Sequence, residues 1–309
     1  MKTPIGVLAF NRPDYLQQTL QSLLSQNDGV LDGREVHLFQ DGVLNRISGK
    51  QYATEETRDA SIELFSRMFP AGIVHAQTEN LGIARHFDFI ESYFFETRGV
   101  EAVMLFEDDL LVSPMYVTIM DRMIAEALRN ERIGYVAAYG DHHAPLDQQM
   151  KNLTKLVEMR HKWAFALTRR QWLRQRPLVQ EYLTLIADSD YQMRDGTKIV
   201  EWMLSKRVLV GGTSQDGIKD IALALSGAVK LMTYCCYGKY IGKTGVHSTE
   251  ELYSAERFGS TAICPVLADE FTWLTPEELD RLITIRRGAF ADNVRKVSEI
   301  FPWFEKGAN

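Results

Sequence analysis

Ala102-Val103-Met104-Leu105-Phe106-Glu107-Asp108-Asp109 is the stretch on which the reading of this chain turns. Five apolar residues without a polar break form a run short enough to be a strand covered on both faces. Three carboxylates follow at once, where such a strand would end. Consecutive carboxylates repel one another, and a hard divalent cation relieves that repulsion. An oxygen-only donor set favours Mg²⁺ or Mn²⁺, ions that keep positions open for phosphate oxygens. The plain alternative is a solvated acidic turn ahead of a helix beginning near Pro114.

Similar runs lie on either side. Ile5 to Phe10 predicts a first strand, and Pro13 suits the first position of the helix in which Leu16, Leu20, Leu23 and Leu24 recur. Val36 to Phe39 predicts a second strand ending at Gln40-Asp41-Gly42, and Gly72 to Ala76 a third. Ile83, Phe87, Ile90 and Phe94 then share a helix face, and Ile133 to Ala138 predicts a further strand. Strand and helix alternating in this way imply an α/β fold with a mostly parallel sheet. Right-handed crossovers would align the strand C-termini along one edge, where open α/β sheets bind ligands. Beyond residue 140 the pattern loosens. Trp163 to Leu167 reads as a strand, Asp188 to Gly196 as a polar loop, and Asp216 to Leu225 as a helix after the Gly211-Gly212 break. Thr275-Pro276-Glu277-Glu278 is a capping box that opens a C-terminal helix.

Composition narrows the class. The chain has 309 residues, 45% of them hydrophobic, enough for a full core and against disorder. That length corresponds to about two domains at roughly 150 residues each. With 35 Lys and Arg against 41 Asp and Glu the net charge is −6, and no basic run stands out, so nucleic acid is not an expected partner. Three cysteines, two of them adjacent, make no disulfide framework and fit a reducing compartment. No cleavage-site pattern follows the N-terminus, and no apolar stretch is long enough to span a bilayer. A cytoplasmic protein is expected, with peripheral attachment to the inner face of a membrane left open. There is no internal repeat.

Several other residues offer chemistry, each with a bland alternative. Arg12 and Asp41 fall at the ends of the first two strands, on the same edge as the acidic triplet. Arg12 could meet a base or phosphate, and Asp41 a base or ribose; a solvated helix start and a plain turn are the alternatives. His86, near a helix N-terminus, would favour a neutral ring able to hydrogen-bond a base, unless it is structural. Asp216 would aim into a cleft or merely cap its helix. His247 lies in Gly242-Lys243-Thr244-Gly245-Val246-His247, a loop able to fold over a diphosphate. Asp188 and Asp190 read as solvated loop residues. His142-His143 looks like a metal doublet, but adjacent residues rarely chelate one ion, and a loop is expected. Trp163 and Trp172 would stack on a sugar ring or pack in the core.

Taken in order, these segments resemble a GT-A glycosyltransferase, closest to the inverting N-acetylglucosaminyltransferase I family and related bacterial family 2 enzymes. The likeness rests on Val7-Leu8-Ala9-Phe10-Asn11-Arg12, Phe39-Gln40-Asp41-Gly42, Ile83-Ala84-Arg85-His86-Phe87, Phe106-Glu107-Asp108-Asp109-Leu110 with Val112-Ser113-Pro114, Trp163-Ala164-Phe165-Ala166-Leu167 and the loop ending at His247. It covers about residues 4 to 250.

The resemblance implies a GT-A (Rossmann-like) mixed, mostly parallel sheet flanked by helices. Residues 1–250 would form the transferase domain, with a nucleotide-binding half over about 1–140 and an acceptor half over about 141–250. Residues 251–309 would be a helical extension. It also implies a metal-dependent hexosyl- or N-acetylhexosaminyltransferase of glycan or polysaccharide synthesis. Such an enzyme moves a sugar, with inversion, from a UDP-sugar to a carbohydrate-containing acceptor. Asp109 would bind Mn²⁺ (or Mg²⁺) in a DXD-like motif. Glu107 and Asp108 would contact the donor sugar and ribose. Phe10, Asn11, Arg12, Asp41, His86 and His247 would hold the nucleotide. The family's base precedes the terminal His loop by some thirty residues, and Asp216 stands 31 before His247. Bacterial relatives often carry Trp just before that Asp, where this chain has Gln215. Two rivals remain. A sugar-phosphate nucleotidyltransferase would show a basic Gly-rich loop after the first strand, which Ala9 to Pro13 lacks. A non-catalytic nucleotide-sugar-binding module would not need the intact acidic triplet.

Overall fold

The computed structural model describes residues 2–27, 29–245 and 249–300. Its strands are β1 (Ile5–Ala9), β2 (Val36–Gln40), β3 (Ile73–Ala76), β4 (Ala102–Glu107), β5 (Leu110–Val112), β6 (Ile133–Ala137), β7 (Leu156–Glu158), β8 (Phe165–Thr168), β9 (Val229–Thr233) and β10 (Gly238–Tyr240). Its α-helices are α1 (Pro13–Leu24), α2 (Glu55–Met68), α3 (Gly82–Ser92), α4 (Tyr116–Arg129), α5 (Leu146–Lys151), α6 (Arg169–Leu185), α7 (Gly196–Ser205), α8 (Gln215–Leu225), α9 (Glu250–Ala255) and α10 (Pro276–Ile300). Among these described residues no helix is long and apolar enough to cross a membrane.

Eight strands form one sheet in the order β3-β2-β1-β4-β8-β6-β9-β7, and β10 pairs with β5 in a small second ribbon. The β1–β2, β1–β4, β2–β3 and β6–β9 pairs are parallel; β8 and the edge strand β7 run antiparallel to their neighbours. The expected class is the one observed: α/β, a mixed and mostly parallel sheet with helices around it, and a long C-terminal helix. Strands β1, β2, β6 and β9 are buried at every residue, as covering on both faces requires.

The local signals act as physical chemistry dictates. Pro13 opens α1, where a missing amide proton costs nothing. Thr275 and Glu278 exchange side-chain-to-backbone hydrogen bonds at 2.8 and 3.3 Å, so the capping box starts α10. That helix buries Leu279 and Ile283 against the core around the sheet and Phe290 in a second core with residues of α3, α6, α7 and α8. Strand β9 was hidden in the sequence by Lys230, whose buried ammonium donates to both oxygens of Asp220 at 2.9 and 2.7 Å. The segment 188–196, expected as a solvated loop, instead buries Asp190 and Tyr191 around a short 3₁₀ turn.

Running from β1 the chain builds β2 and β3 outward, then returns to place β4 on the other side of β1. That reversal opens a crevice at the C-terminal ends of β1 and β4, the usual ligand position of an open α/β sheet. Across it, α3 and α8 are joined by a Lys219–Glu91 ion pair of 2.6 Å with both side chains 2% exposed. Removing one partner of such a pair strands a buried charge. Lys219→Met is therefore expected to cost about 3–5 kcal/mol in chemical denaturation, and adding Glu91→Leu to recover most of that. A loss for the single variant below about 1 kcal/mol would contradict this role.

Candidate functional site

The site begins with the register of two strands. Leu8 pairs with Glu107, so the residues that follow β1 and β4 emerge side by side at the crevice. Arg12 reaches across and forms ion pairs with Asp108 and, at 2.8 Å, with Asp109. Both aspartates are 3% exposed. Their backbones are fixed from two sides: Thr19 donates its hydroxyl to the Asp108 carbonyl at 2.9 Å, and the Ile241 amide donates to the Asp109 carbonyl at the same distance. The second bond draws the loop after β10 over the acidic end of β4. Gly242 allows this close approach: a Cβ would stand 2.5 Å from Asp109 Oδ2 and 2.4 Å from the Tyr240 hydroxyl, so those side-chain ends would have to shift.

Burial governs the charge of this triplet. It pushes Asp108 up to about 7 against the pull of Arg12, and it raises Asp109 against Arg12 and a hydrogen bond from Tyr240. Glu107 is raised well above the usual carboxylate range by burial and then by the neighbouring charges of Asp109, Asp216 and Asp108. One guanidinium cannot balance three carboxylates, and Asp109 Oδ1 is buried with no hydrogen-bond partner among the described residues. An orphaned carboxylate oxygen in an all-oxygen acidic cluster fits a hard divalent cation.

A cavity of about 490 Å³ lies over this edge. Phe10, Asn11, Arg12, Asp41, His86, Glu107, Asp108 and Asp109 all line it, so eight positions singled out in the sequence converge there. They differ in availability. Asp41 accepts from the amides of Gly42, Leu81 and Gly82 and from Asn80 Nδ2, between 2.8 and 3.2 Å. It ties the end of β2 to the start of α3, and burial still lifts it to about 6. Phe10 accepts a hydrogen bond from Gln40 through its carbonyl. His86 is the opposite case: burial holds it down to about 3, and the Nε2 of its neutral ring is buried without a partner among the described residues. His247 lies outside the described residues; the described part of its loop touches the site where Thr244 accepts from Arg12 at 3.4 Å.

The opposite wall was not anticipated. Asp190 accepts from Ser48 Oγ at 2.6 Å and from the Tyr52 hydroxyl at 2.7 Å, pinning the 45–52 loop beside the cavity with Tyr191. Nothing local in the sequence pairs those segments.

Asp216 stands in a second cavity on α8 and shares it with Glu107, Lys162, Trp163 and Tyr240. Ile83, Glu107, Tyr191 and Tyr240 line both cavities and so form the partition between them. The Asp216 side chain is half exposed, accepts from Gln215 Nε2 at 2.7 Å and lies 3.8 Å from Lys162 Nζ. Trp163 stacks between His161 and Tyr240 at centroid distances of 4.2 and 4.5 Å, facing this second cavity. Trp172 is a core residue against Phe95.

No protein-family model matches the chain, and no curated protein matches it. Among solved structures it is similar to residues 1–349 of TarS from S. aureus, at 10% identity and a TM-score of 0.43, over 79% of this chain and 61% of that one. It is also similar to GalNAc-T7, solved with UDP, GalNAc and Mn²⁺, at 11% identity and a TM-score of 0.48, over 83% of this chain and 47% of that one. The chain thus spans less than two thirds of either neighbour.

Close backbone approach supports the first cavity. A Cβ on Gly42 would lie 2.3 Å from the backbone carbon of Glu79, which no side-chain rotation can relieve. Gly42→Ala is expected to lower stability by about 1–3 kcal/mol, the usual range for overpacking, in a denaturant titration. An unchanged midpoint would show that the 79–82 segment is not held against Asp41.

Proposed function

We propose that the chain is a metal-dependent inverting glycosyltransferase of GT-A fold, moving a sugar from a UDP-sugar to an acceptor hydroxyl. The observation that carries this reading is the partition: Glu107, with Ile83, Tyr191 and Tyr240, separates a cation-fitting cavity from a second cavity that holds a half-exposed carboxylate. The first suits a nucleotide diphosphate; its volume falls within the range of about 300–1,000 Å³ common for small-molecule sites. The second suits an acceptor, with the Trp163–Tyr240 stack as a platform for a sugar face.

Roles follow from position. Asp109, with Asp108 beside it, would hold Mn²⁺ (or Mg²⁺), and the bound ion would neutralise negative charge on the departing diphosphate. His86, with a neutral ring and an open Nε2, supplies a hydrogen bond to a base or ribose. Arg12 couples the acidic pair to the loop after β10. Glu107, on the boundary, faces the transferred sugar. Asp216 accepts the proton of the acceptor hydroxyl as that oxygen forms its bond to the anomeric carbon. The bond from that carbon to the phosphate oxygen breaks, and its electron pair leaves with UDP. Gln215 orients the Asp216 carboxylate, and this answers the departure from Trp at that position: the amide donates to one carboxylate oxygen at 2.7 Å. Orientation of this kind contributes several kcal/mol to a bound near-attack geometry.

Two variants test the division of labour. Asp216→Asn is expected to reduce transfer by about 10²–10⁴, the range for losing a general base, while UDP affinity by calorimetry stays near wild type. Transfer at the wild-type rate would remove Asp216 from the mechanism. In Asp109→Ala, Mn²⁺-dependent stabilisation by UDP in a thermal shift assay is expected to disappear, because a ligand of the native state raises its melting temperature. The same Mn²⁺-dependent shift in the variant would contradict the metal assignment.

A further inference from the structure

The turn after β6 and the end of α9 meet far from each other in sequence. His142 and His143 follow β6; Glu256 ends α9. The two imidazole rings are 4.0 Å apart between centroids. Glu256 Oε2 lies 3.9 Å from His142 Nε2 and 3.8 Å from His143 Nε2. One ligand atom from each of the three residues lies within 4.8 Å of the others. Adjacent histidines seldom share an ion, and the sequence alone argued for a loop. Here the turn brings both rings to the same carboxylate.

The cluster differs from a chance surface grouping in one respect. The His142 side chain is only 6% exposed, and its Nε2 is buried with no hydrogen-bond partner among the described residues. In the tautomer with its hydrogen on Nδ1, the ring offers a lone pair at this buried nitrogen, beside a carboxylate and a second imidazole. Around a tetrahedral ion with bonds of about 2.0–2.1 Å, ligand atoms stand about 3.3 Å apart. These separations close to that value by rotation of His143 and Glu256, whose side chains are 43% and 46% exposed.

The geometry points to a transition-metal site at His142, His143 and Glu256 that takes Zn²⁺ or a similar borderline ion and is separate from the hard-cation site at Asp109. Two imidazoles and one carboxylate form a nitrogen-rich set that prefers such ions to Mg²⁺ or Ca²⁺. Bound there, the ion clasps the segment beyond α9 to the end of β6. The clasp braces the second cavity, since the His142 ring packs on Phe258 at 4.8 Å and Phe258 meets Trp163 edge-on at 5.2 Å.

The test is calorimetric titration of the full chain with ZnCl₂ alone, in wild type, Asp109→Ala, His143→Ala and Glu256→Gln. His143 and Glu256 are exposed enough for their variants to fold, which circular dichroism checks. One Zn²⁺ per chain is expected in wild type and in Asp109→Ala. In the other two variants affinity is expected to fall by at least the roughly tenfold that losing even an outer-shell partner costs. With Co²⁺ as the probe, wild type should show the visible absorption of a low-symmetry, nitrogen-ligated ion, and His143→Ala should lose it. Zn²⁺ binding abolished by Asp109→Ala but unchanged by His143→Ala and Glu256→Gln would overturn the site, as would no binding to wild type. Because Asp109→Ala is measured in parallel, this result stands or falls independently of the transferase reading.

Discussion

Negative charge at the mouth of a fully buried strand is the constraint around which the molecule is organised. A carboxylate withdrawn from water must be paired, hydrogen-bonded or protonated. Glu107, Asp108 and Asp109 leave β4 where two of them are almost without solvent, and only the parallel pairing of β1 with β4 brings a guanidinium to meet them. The strand order makes that pairing possible, because the chain reverses direction across the sheet between these two strands. The remaining imbalance, with Asp108 lifted to about 7 and Asp109 Oδ1 unpartnered among the described residues, is the opening a divalent cation would fill.

The surrounding architecture can be understood as support for that point. The ribbon of β5 and β10 exists one residue beyond the triplet and carries Tyr240 and Gly242 back over Asp109. Asp41 spends its acceptors on the start of α3 and so fixes the helix that carries His86. The Glu91–Lys219 pair then ties α3 to α8, which carries Asp216. Lys162, bonded to the Asp216 carbonyl at 3.0 Å and to Asp220 at 2.7 Å, holds the start of α8 beside the second cavity. In the proposed reaction a rigid scaffold of this sort would keep donor and acceptor in register across the shared wall.

The parallel half of the fold was legible because its signals are local. Apolar runs such as Ile5 to Ala9 and Ala102 to Phe106 leave little choice, and Pro13 and the Thr275–Glu278 box mark helix starts directly. The antiparallel insertion of β8 between β4 and β6 was not legible, since nothing in Phe165 to Thr168 specifies its direction. Lys230 concealed β9 because its charge is answered by Asp220, ten residues earlier on another element. At the site, residues just beyond strand ends were readable, and the wall made by Tyr52, Asp190 and Tyr191 was not. Its bonds join segments more than a hundred residues apart, such as Tyr52 and Asp190. The same long range hid Glu256 from His142 and His143.

The central claim is that the acidic end of β4 holds a divalent cation that binds a nucleotide diphosphate. Its most direct measurement is the anomalous scattering of crystals grown with MnCl₂ and UDP. The account predicts a manganese peak within coordination distance of the Asp109 carboxylate, with diphosphate density beside it and Arg12 drawn away from the acidic pair. A fully occupied diphosphate with no anomalous peak at Asp109, and Arg12 still bridging Asp108 and Asp109, would contradict it.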